Sequence, residues 1–371
     1  MRFSIPAGVL LPVLAPLAHL ASRSSNALPA LLGVLVEAKP DKLRLTANNA
    51  MTGLSVTLDR PPEVAPYTEG KALIPYTWHD LLRNVDGPVE VSGEDDVIVV
   101  TYPGGHARLG GIPADSFVMP PVAKTSFELG TADLKAGLAR VGFATAKKLE
   151  DQNPLDHVEL VIQGGAVRWA ATNRYQGAVF TTSASGTTNA QLCVPVDALS
   201  LVARLCNAEK VRMGVTSQGF GAVWGTTRLY SRVNTTPFPP FVEYLPTDLP
   251  TKAKVEVARL RDALARVSTT AEDRLRVRVE DGCVVLAAAY ASGESEERLP
   301  ATVEGDEVEM LFNPPLLADA LAHAPAPEVT LEIAQHDRPL LLRADTQGFQ
   351  FVMPMMDDAV QAGPADDEEA A

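Results

Sequence analysis

The 371-residue chain lacks most of the features that mark enzymes, metalloproteins and membrane proteins. Its three cysteines are scattered and form no CxxC pair, which argues against a disulfide framework or a zinc site. The six histidines show no metal-ligand spacing, and no GxSxG, GxGxxG or phosphate-loop sequence is present. No segment reaches the roughly 20 uninterrupted apolar residues of a transmembrane helix. We therefore expect no catalytic centre, no metal and no cofactor.

Basic residues are also scarce, because 32 Lys and Arg stand against 46 Asp and Glu and the formal net charge is −14. Six of the carboxylates lie in residues 357–371, which contain no basic residue, so the rest of the chain carries −8. This excludes the broad basic face of an ordinary nucleic-acid-binding protein. Any contact with nucleic acid must come from a local basic zone.

The N-terminal stretch "MRFSIPAGVLLPVLAPLAHLASRSS" has the outline of a secretory signal, with one early arginine, an apolar run and small residues near Ala21. Against this interpretation, Pro12, Pro16 and His19 interrupt the run, and a second apolar segment follows without a break. We favour a first helix over residues 6–23. The alternative is a secreted binding module or enzyme that loses this segment on maturation.

What the sequence does contain is a threefold internal repeat. Three stretches read as a strand, a turn, a second strand and a third extended segment, and aligning Leu45, Trp169 and Leu286 gives spacings of 124 and 117 residues. A helix-like segment precedes each stretch, at 6–23, 131–150 and 256–267. A short amphipathic helix followed by further strands comes after each, at 76–84, 196–206 and 314–324.

The repeat unit is too long for a solenoid, whose repeats run to roughly 20–50 residues, and has the size of a whole domain. Apolar residues alternate in most of the strand segments, as they do in antiparallel strands with one buried face. The sequence therefore predicts an α+β fold of three similar domains, each with two helices and about eight antiparallel strands.

Four segments, in order along this repeat, resemble those of the bacterial DNA polymerase III beta subunit, the beta sliding clamp family. They are "ALPALLGVLVEA", "RWAATNRYQGAV", "PFPPFVEYLP" and "FVMPMM", and the resemblance covers residues 1–356. It implies clamp domains at 1–122, 123–247 and 248–356, followed by an acidic disordered tail at 357–371. It also implies a homodimeric ring of six domains around double-stranded DNA, with a non-catalytic role in DNA replication as a processivity factor in the cytoplasm.

The resemblance implies a hydrophobic pocket that binds peptide motifs of DNA polymerase, the clamp loader and other partners. Methionines suit such a pocket because their flexible side chains repack around different peptides. Alternation places Met353 and Met355 on one face of the last strand and Val352 and Pro354 on the other. The positions that match the family's pocket are Leu155, Thr172, Arg174, Tyr175, Pro239, Tyr244, Leu340, Phe351, Met353, Pro354, Met355 and Met356.

The same resemblance implies loose phosphate contacts without base readout, since base contacts would fix the ring to one sequence. The six helix segments together carry +3 and the rest of the body −11. The expected DNA-contacting residues are Arg23, Arg140, Lys147, Lys148 and Asn153. The segment "DQNPLDH", which contains Asn153, departs from the family's pattern here.

Finally, the resemblance implies a dimer seam between edge strands of the first and third domains, here "GGHARLGG" and "YASGESEERLP". Charges along such edges set register and association rate more than affinity. The residues assigned to this seam are Arg108, Leu109, Thr269, Glu294, Glu296 and Glu297.

Two questions stay open at this level. The protein could be the clamp of the main replicase or a clamp-like accessory protein. The tail 357–371 leaves from the rim of the expected pocket, so it could either shield the pocket or act only as a solubilising segment.

Overall fold

The computed structural model describes residues 1–22, 28–94, 97–122, 125–147, 154–186, 189–216, 219–290, 293–334 and 338–356. Its helices are α1 (Ala7–Ser22), α2 (Trp78–Leu81), α3 (Thr131–Val141), α4 (Val196–Leu205), α5 (Phe241–Tyr244), α6 (Val257–Ala271) and α7 (Pro314–Ala322). Six of these seven lie within the six predicted helix segments or overlap them, and α5 is additional. Residues 23–27, 148–153 and 357–371, which include the predicted sites Arg23, Lys148 and Asn153, lie outside the described residues.

The strands of the first repeat are β1 (Arg2–Pro6), β2 (Gly33–Lys39), β3 (Lys42–Asn48), β4 (Thr52–Asp59), β5 (Gly70–Pro75), β6 (Pro88–Glu94), β7 (Val97–Tyr102) and β8 (Gly105–Gly110). Those of the second are β9 (Phe127–Gly130), β10 (His157–Gln163), β11 (Ala166–Thr172), β12 (Gln176–Ser183), β13 (Ser185–Gly186), β14 (Ala190–Pro195), β15 (Lys210–Thr216), β16 (Gly219–Trp224) and β17 (Thr227–Arg232).

The third repeat supplies β18 (Thr251–Glu256), β19 (Leu275–Glu280), β20 (Cys283–Tyr290), β21 (Gly293–Pro300), β22 (Thr302–Glu304), β23 (Val308–Phe312), β24 (Glu328–Ile333), β25 (Leu340–Arg343) and β26 (Gly348–Val352). Leu45, Trp169 and Leu286 are each the fourth residue of the equivalent strands β3, β11 and β20, and each is fully buried. The predicted α+β repeat with two helices and about eight strands per copy is therefore confirmed.

The chain divides into two compact units. Unit 1 comprises residues 1–131, 185–188 and 197–233. It contains a nine-stranded sheet in the order β13-β9-β15-β16-β17-β4-β3-β2-β5 and a four-stranded sheet in the order β1-β6-β7-β8.

Helix α1 forms part of the core of unit 1. Leu10, Leu14 and Leu17 recur at helical spacing and are fully buried, while Pro12 lies on the exposed side. The helix continues through both internal prolines. The stretch whose composition suggested a secretory signal is thus β1 followed by a packed helix.

Unit 2 comprises residues 132–184, 189–196 and 234–371. Its nine-stranded sheet has the order β14-β10-β11-β12-β26-β25-β24-β18-β22, and its four-stranded sheet has the order β21-β20-β19-β23. Helices α6 and α7 contribute Leu260, Leu264 and Leu321 to a buried core that also includes Phe312 and Val352. In both units the long sheet joins strands from two successive repeats.

Candidate functional site

The predicted peptide site lies where β12 of the second repeat pairs with β26 of the third, within unit 2. This antiparallel pairing sets Gln176 opposite Val352 and Gly177 opposite Phe351. A side chain on residue 177 would overlap the Phe351 ring, so the glycine makes room for that ring. Past the end of β26, the Met353 N–H donates to the Tyr175 carbonyl at 2.8 Å. The joint thus brings the β11–β12 turn and the "FVMPMM" segment together.

The β11–β12 turn is held by its own polar groups. The Asn173 Oδ1 accepts hydrogen bonds from the N–H groups of Tyr175 (3.0 Å) and Gln176 (2.9 Å). Thr172 Oγ1 donates to the Gln176 carbonyl at 2.8 Å. Arg174 takes a left-handed backbone conformation with φ of 81°, which is uncommon for a residue other than glycine. As a result Arg174 and Tyr175 are both exposed, and the Tyr175 side chain is 65% accessible.

An aromatic cluster forms the floor beside this turn. The Phe351 ring lies 5.4 Å from that of Phe241 in α5, and Phe241 lies 6.1 Å from Phe238. Leu341, Phe351 and Met353 belong to the same small apolar cluster. Sequence reasoning missed Phe241 and Leu341. The signal for Phe241 was its position between the predicted Pro239 and Tyr244.

One predicted pocket residue faces the other way. Leu340 is paired with Val352 and is fully buried in the main core of unit 2. Its neighbour Leu341 pairs with Phe351 and takes the pocket side instead, because adjacent strand residues point to opposite faces. Leu155, in a short 3₁₀ helix before β10, is also buried. The assignment of Leu340 to the pocket is therefore wrong.

The surface around the cluster carries large apolar groups that water reaches. Tyr244 is 76% exposed and Met356 is 55% exposed, while Pro239, Pro354 and Met355 are half-buried. The Met355 N–H donates to the Leu311 carbonyl at 2.7 Å, which ties the last described residues to β23. Exposed apolar groups of this kind around a packed aromatic floor are typical of a binding surface.

Two of the predicted DNA-contacting residues can be placed. Lys147 is exposed in the turn after α3. Arg140, by contrast, is only 11% exposed, donates to Asp345 at 2.7 Å and lies 4.6 Å over the Phe180 ring. Its guanidinium is thus held inside unit 2, and we do not retain it as a phosphate contact. Lys135 on α3 and Arg261 on α6 are exposed cations that the site assignment left out.

The ion pair of Arg140 has an electrostatic consequence for its partner. Burial alone would raise the pKa of Asp345, but hydrogen bonds from Arg140 and from the N–H groups of Gln347 and Gly348 outweigh this effect. The pKa of Asp345 is therefore lowered in the folded protein.

The predicted seam strands β8 and β21 are both terminal strands of their sheets. Arg108 is exposed on β8, and Leu109 is half-buried beside it. On the third repeat, Glu297 accepts two hydrogen bonds from Arg266 (2.5 and 2.7 Å), which lower the pKa of Glu297. Thr269 is exposed on α6, and its hydroxyl donates a hydrogen bond of 2.7 Å to the carbonyl of Arg266, one helical turn earlier.

The two remaining seam glutamates differ in their environments. Glu296 is engaged with Arg278 (2.6 Å) and Arg298 (3.3 Å) on the same face of the sheet. Glu294 is exposed, and no ion pair to it is found within the described residues.

Known proteins that resemble this chain are beta sliding clamps and their homologs. The profile of the "DNA polymerase III beta subunit, C-terminal domain" matches residues 243–356. The beta sliding clamp of Streptomyces coelicolor is 26% identical over 330 residues, which cover 85% of this chain and 86% of that one. Residues 243–356 thus match the DNA polymerase III beta subunit family, and most of the chain is similar to a protein named beta sliding clamp. A second relative, the beta sliding clamp homolog GriR of Streptomyces muensis, is 26% identical over 96% of this chain and 99% of its own length.

Solved structures of beta subunits share the fold. The DNA polymerase III subunit beta of Pseudomonas aeruginosa superposes with a TM-score of 0.89 at 22% identity, over 96% of this chain and all of that one. The sliding clamp of Bacillus subtilis gives a TM-score of 0.89 at 17% identity. Within the described ranges, no helix is long and apolar enough to cross a membrane, and no group of acidic, His and Cys side chains is arranged to hold a metal ion.

Proposed function

We propose that this chain is a DNA sliding clamp: two copies close into a ring around duplex DNA and tether a polymerase through the β12–β26 site. The tether raises the local concentration of the polymerase at the DNA without tight contact. The function is topological, so it needs neither a catalytic group nor a bound cofactor.

The observation that supports this proposal is a strand pairing between successive repeats, which occurs twice in the chain and leaves one strand of each kind unpaired. Within the chain, the fourth strand of the first repeat, β4, pairs with the last strand of the second, β17. In the same way β12 of the second repeat pairs with β26 of the third. One strand of each kind has no neighbour on its outer side in the described structure. These are β21, the equivalent of β4 and β12, and β8, the equivalent of β17 and β26. Joining β21 of one copy to β8 of another extends the series, and contacts of this head-to-tail kind form rings when they close.

The two existing joints also give the register of the third. Val56, Phe180 and Glu297 are equivalent, because each lies opposite the aligned Leu45, Trp169 or Leu286 of its neighbouring strand. Val56 pairs with Thr227 and Phe180 with Gly348, which are the first residues of β17 and β26. The first residue of β8 is Gly105, so we infer that it lies opposite Glu297 of the second copy.

This register sets opposite charges against each other. Counting along the antiparallel strands places Arg108 opposite Glu294, His106 opposite Glu296, and Ala107 opposite Ser295. Arg108, His106, Glu294 and Glu296 are exposed, while Ala107 and Ser295 are half-buried. Exposed residues of one edge thus lie opposite exposed residues of the other, as expected because directly opposed residues lie on the same face of a sheet. A register shifted by one residue would break this agreement.

The DNA contact of such a ring must be weak. Exposed Lys135, Lys147 and Arg261 are candidates, and each phosphate that a protein neutralises adds about 0.9 to the slope of log affinity against log salt. We therefore propose retention by enclosure rather than by affinity. The flexible methionines and the exposed aromatic residues around Phe351 support the proposed peptide site.

A second candidate is a clamp homolog that serves another polymerase or pathway. The relative named as a sliding clamp homolog covers more of this chain than the Streptomyces coelicolor clamp does, at the same identity. Replacing the host's clamp gene with this one separates the two candidates. Growth would support the main replicase, whereas failure with a normal dimer would support the accessory role.

The general proposal is tested by solution mass and retention on DNA. We expect a dimer that, once loaded, stays on circular duplex DNA in 1 M salt (about a 3 Å screening length) and dissociates after the circle is cut. A monomer, or salt-sensitive binding to both forms, would contradict the ring.

A further inference from the structure

Unit 1 contains a second copy of the turn that builds the proposed peptide site in unit 2. The Asn49 Oδ1 accepts hydrogen bonds from the N–H groups of Met51 (3.1 Å) and Thr52 (2.7 Å), as Asn173 does from Tyr175 and Gln176. Ala50 has φ of 73°, like Arg174. The Met51 carbonyl accepts the Arg232 N–H at 2.8 Å, the counterpart of the bond from Met353 to Tyr175. The β4–β17 joint therefore repeats the β12–β26 joint in detail.

An apolar segment covers this second joint as well. The letters "FVMP" occur twice in the chain, at residues 117–120 and 351–354. A side chain on Gly53 would overlap Pro120, just as one on Gly177 would overlap Phe351. Asn48 Nδ2 donates to the Val118 carbonyl at 3.0 Å and so fixes the segment. Met119 (46% exposed) and Val122 (71% exposed) remain accessible as an apolar wall.

The floor beside this wall differs from the site in unit 2 in its charge. A groove of about 380 Å³ runs across β3, β4, β17, β16 and β15 and is lined by Lys42, Arg44, Arg212 and Arg228 as well as the wall. All four cations are exposed, and none of the lining residues is acidic. Among the described residues, Arg44 has a long ion pair with Glu37, in which 3.8 Å separates the guanidinium nitrogen from the carboxylate oxygen.

The cations are held in a fixed pattern by the sheet. Arg228 lies opposite Ser55 on one side and Val223 on the other, and Val223 lies opposite Arg212. Two strand spacings, roughly 10 Å, therefore separate Arg212 and Arg228 on one row. On a chain with a net charge of −14, this is a local basic zone with small and apolar residues between its charges.

We propose that this groove binds the chain's own acidic C-terminal segment, residues 357–371. The segment supplies six carboxylates and no cation, in two clusters that flank the apolar and small residues "AVQAGPA". The carboxylates match the cation row, and the central residues match the wall formed by Met119 and Val122. A nucleic acid would use the cations but would leave this apolar wall uncovered, so the peptide is the better fit. The inference does not depend on the clamp function, since it involves neither DNA nor a second protein.

The test uses a synthetic, fluorescently labelled peptide of residues 357–371 and the chain ending at Met356. We expect saturable binding in fluorescence anisotropy that weakens at least tenfold between 50 and 500 mM salt, because exposed charges are screened. The double substitution Arg212→Glu and Arg228→Glu is expected to weaken binding at least tenfold. The matched control, Lys252→Glu and Lys254→Glu on β18 of unit 2, makes the same change in net charge and is expected to have less than a twofold effect.

Four results would overturn the proposal. The peptide could fail to bind, or both double substitutions could weaken its binding equally. Binding could instead be lost on Met353→Ala with Met355→Ala, which would place the peptide at the β12–β26 site. A short duplex or single-stranded DNA that binds in place of the peptide and is lost in the Arg212/Arg228 variant would reassign the groove to nucleic acid. Circular dichroism checks that each variant is folded. If the protein failed to form a ring but still bound the peptide, the clamp function would be contradicted while this proposal would stand.

Discussion

The inferred seam between β8 and β21 makes a prediction about charge. Arg108→Glu would set a carboxylate against Glu294 of the second copy and so replace attraction with repulsion. A directly opposed pair of charges contributes about 0.2–1 kcal/mol, so the change from attraction to repulsion amounts to about twice that value at each seam. A closed ring has two identical seams. The expected loss is about 1–4 kcal/mol in total, or roughly a 5- to 700-fold increase in the dimer dissociation constant.

The assay is sedimentation equilibrium or mass photometry over a dilution series at low salt. Glu294→Arg alone is expected to weaken the dimer in the same way, and the double variant Arg108→Glu with Glu294→Arg is expected to restore it to within about threefold. The matched control combines Arg108→Glu with Glu296→Arg. Glu296 lies two residues away along β21, where diagonal side chains are about 7–8 Å apart, so little rescue is expected.

The pairing of Arg108 with Glu294 would be refuted if the Glu294→Arg exchange gave no rescue or if the Glu296→Arg exchange rescued better. The first outcome would remove the pair, and the second would shift the register by two residues. If neither single substitution changed the dissociation constant, β8 and β21 would not form the seam.

Two further predictions concern unit 2. Met353→Ala with Met355→Ala is expected to weaken binding of a clamp-binding peptide from the replicative polymerase at least tenfold while the dimer mass stays unchanged; unchanged affinity in a titration would disprove the site. Arg140→Gln is expected to lower the free energy of unfolding by about 1–3 kcal/mol at pH 7, because it removes a charged hydrogen bond. Since the pKa of Asp345 is lowered on folding, this contribution is fully present above its unfolded pKa of about 3.9 and is lost progressively as the pH falls from that value through the lower folded pKa. Urea titrations of the wild type and the variant would therefore show a smaller difference in the free energy of unfolding at pH 3 than at pH 7. An equal difference at both pH values would contradict this account, and so would altered retention on DNA.

The repeat could be predicted from the sequence because its signal is local. Alternation of apolar residues marks each strand, and one buried residue per repeat, such as Leu45, is enough to align the copies. The position proposed for the peptide site rests on the "FVMPMM" segment and the turn at Arg174. These features depend on neighbours in the chain or on a short motif, so they survive without a structure.

The misassignments have a different physical origin. Leu340 and Leu341 lie in a run of three leucines, where alternation gives no sign of which face each residue takes. Arg140 is paired with Asp345, which is 205 residues away, and no sequence pattern reports such a contact. The basic groove was invisible for the same reason, because Arg44, Arg212 and Arg228 meet only when strands from two repeats pair.

The most direct test of the ring closes the seam covalently. In the inferred register Ala107 lies opposite Ser295, and cross-strand Cβ atoms about 4.5–5.5 Å apart need only a small adjustment to form a disulfide. The variant Ala107→Cys with Ser295→Cys, oxidised in the presence of a circular plasmid, should give a dimer with both seams cross-linked. We predict that a fraction of this dimer stays on the circle through denaturing detergent and is released when the plasmid is cut. Cross-linked dimer that detergent strips equally from circular and linear DNA, or the absence of any cross-link between copies, would contradict the proposed ring.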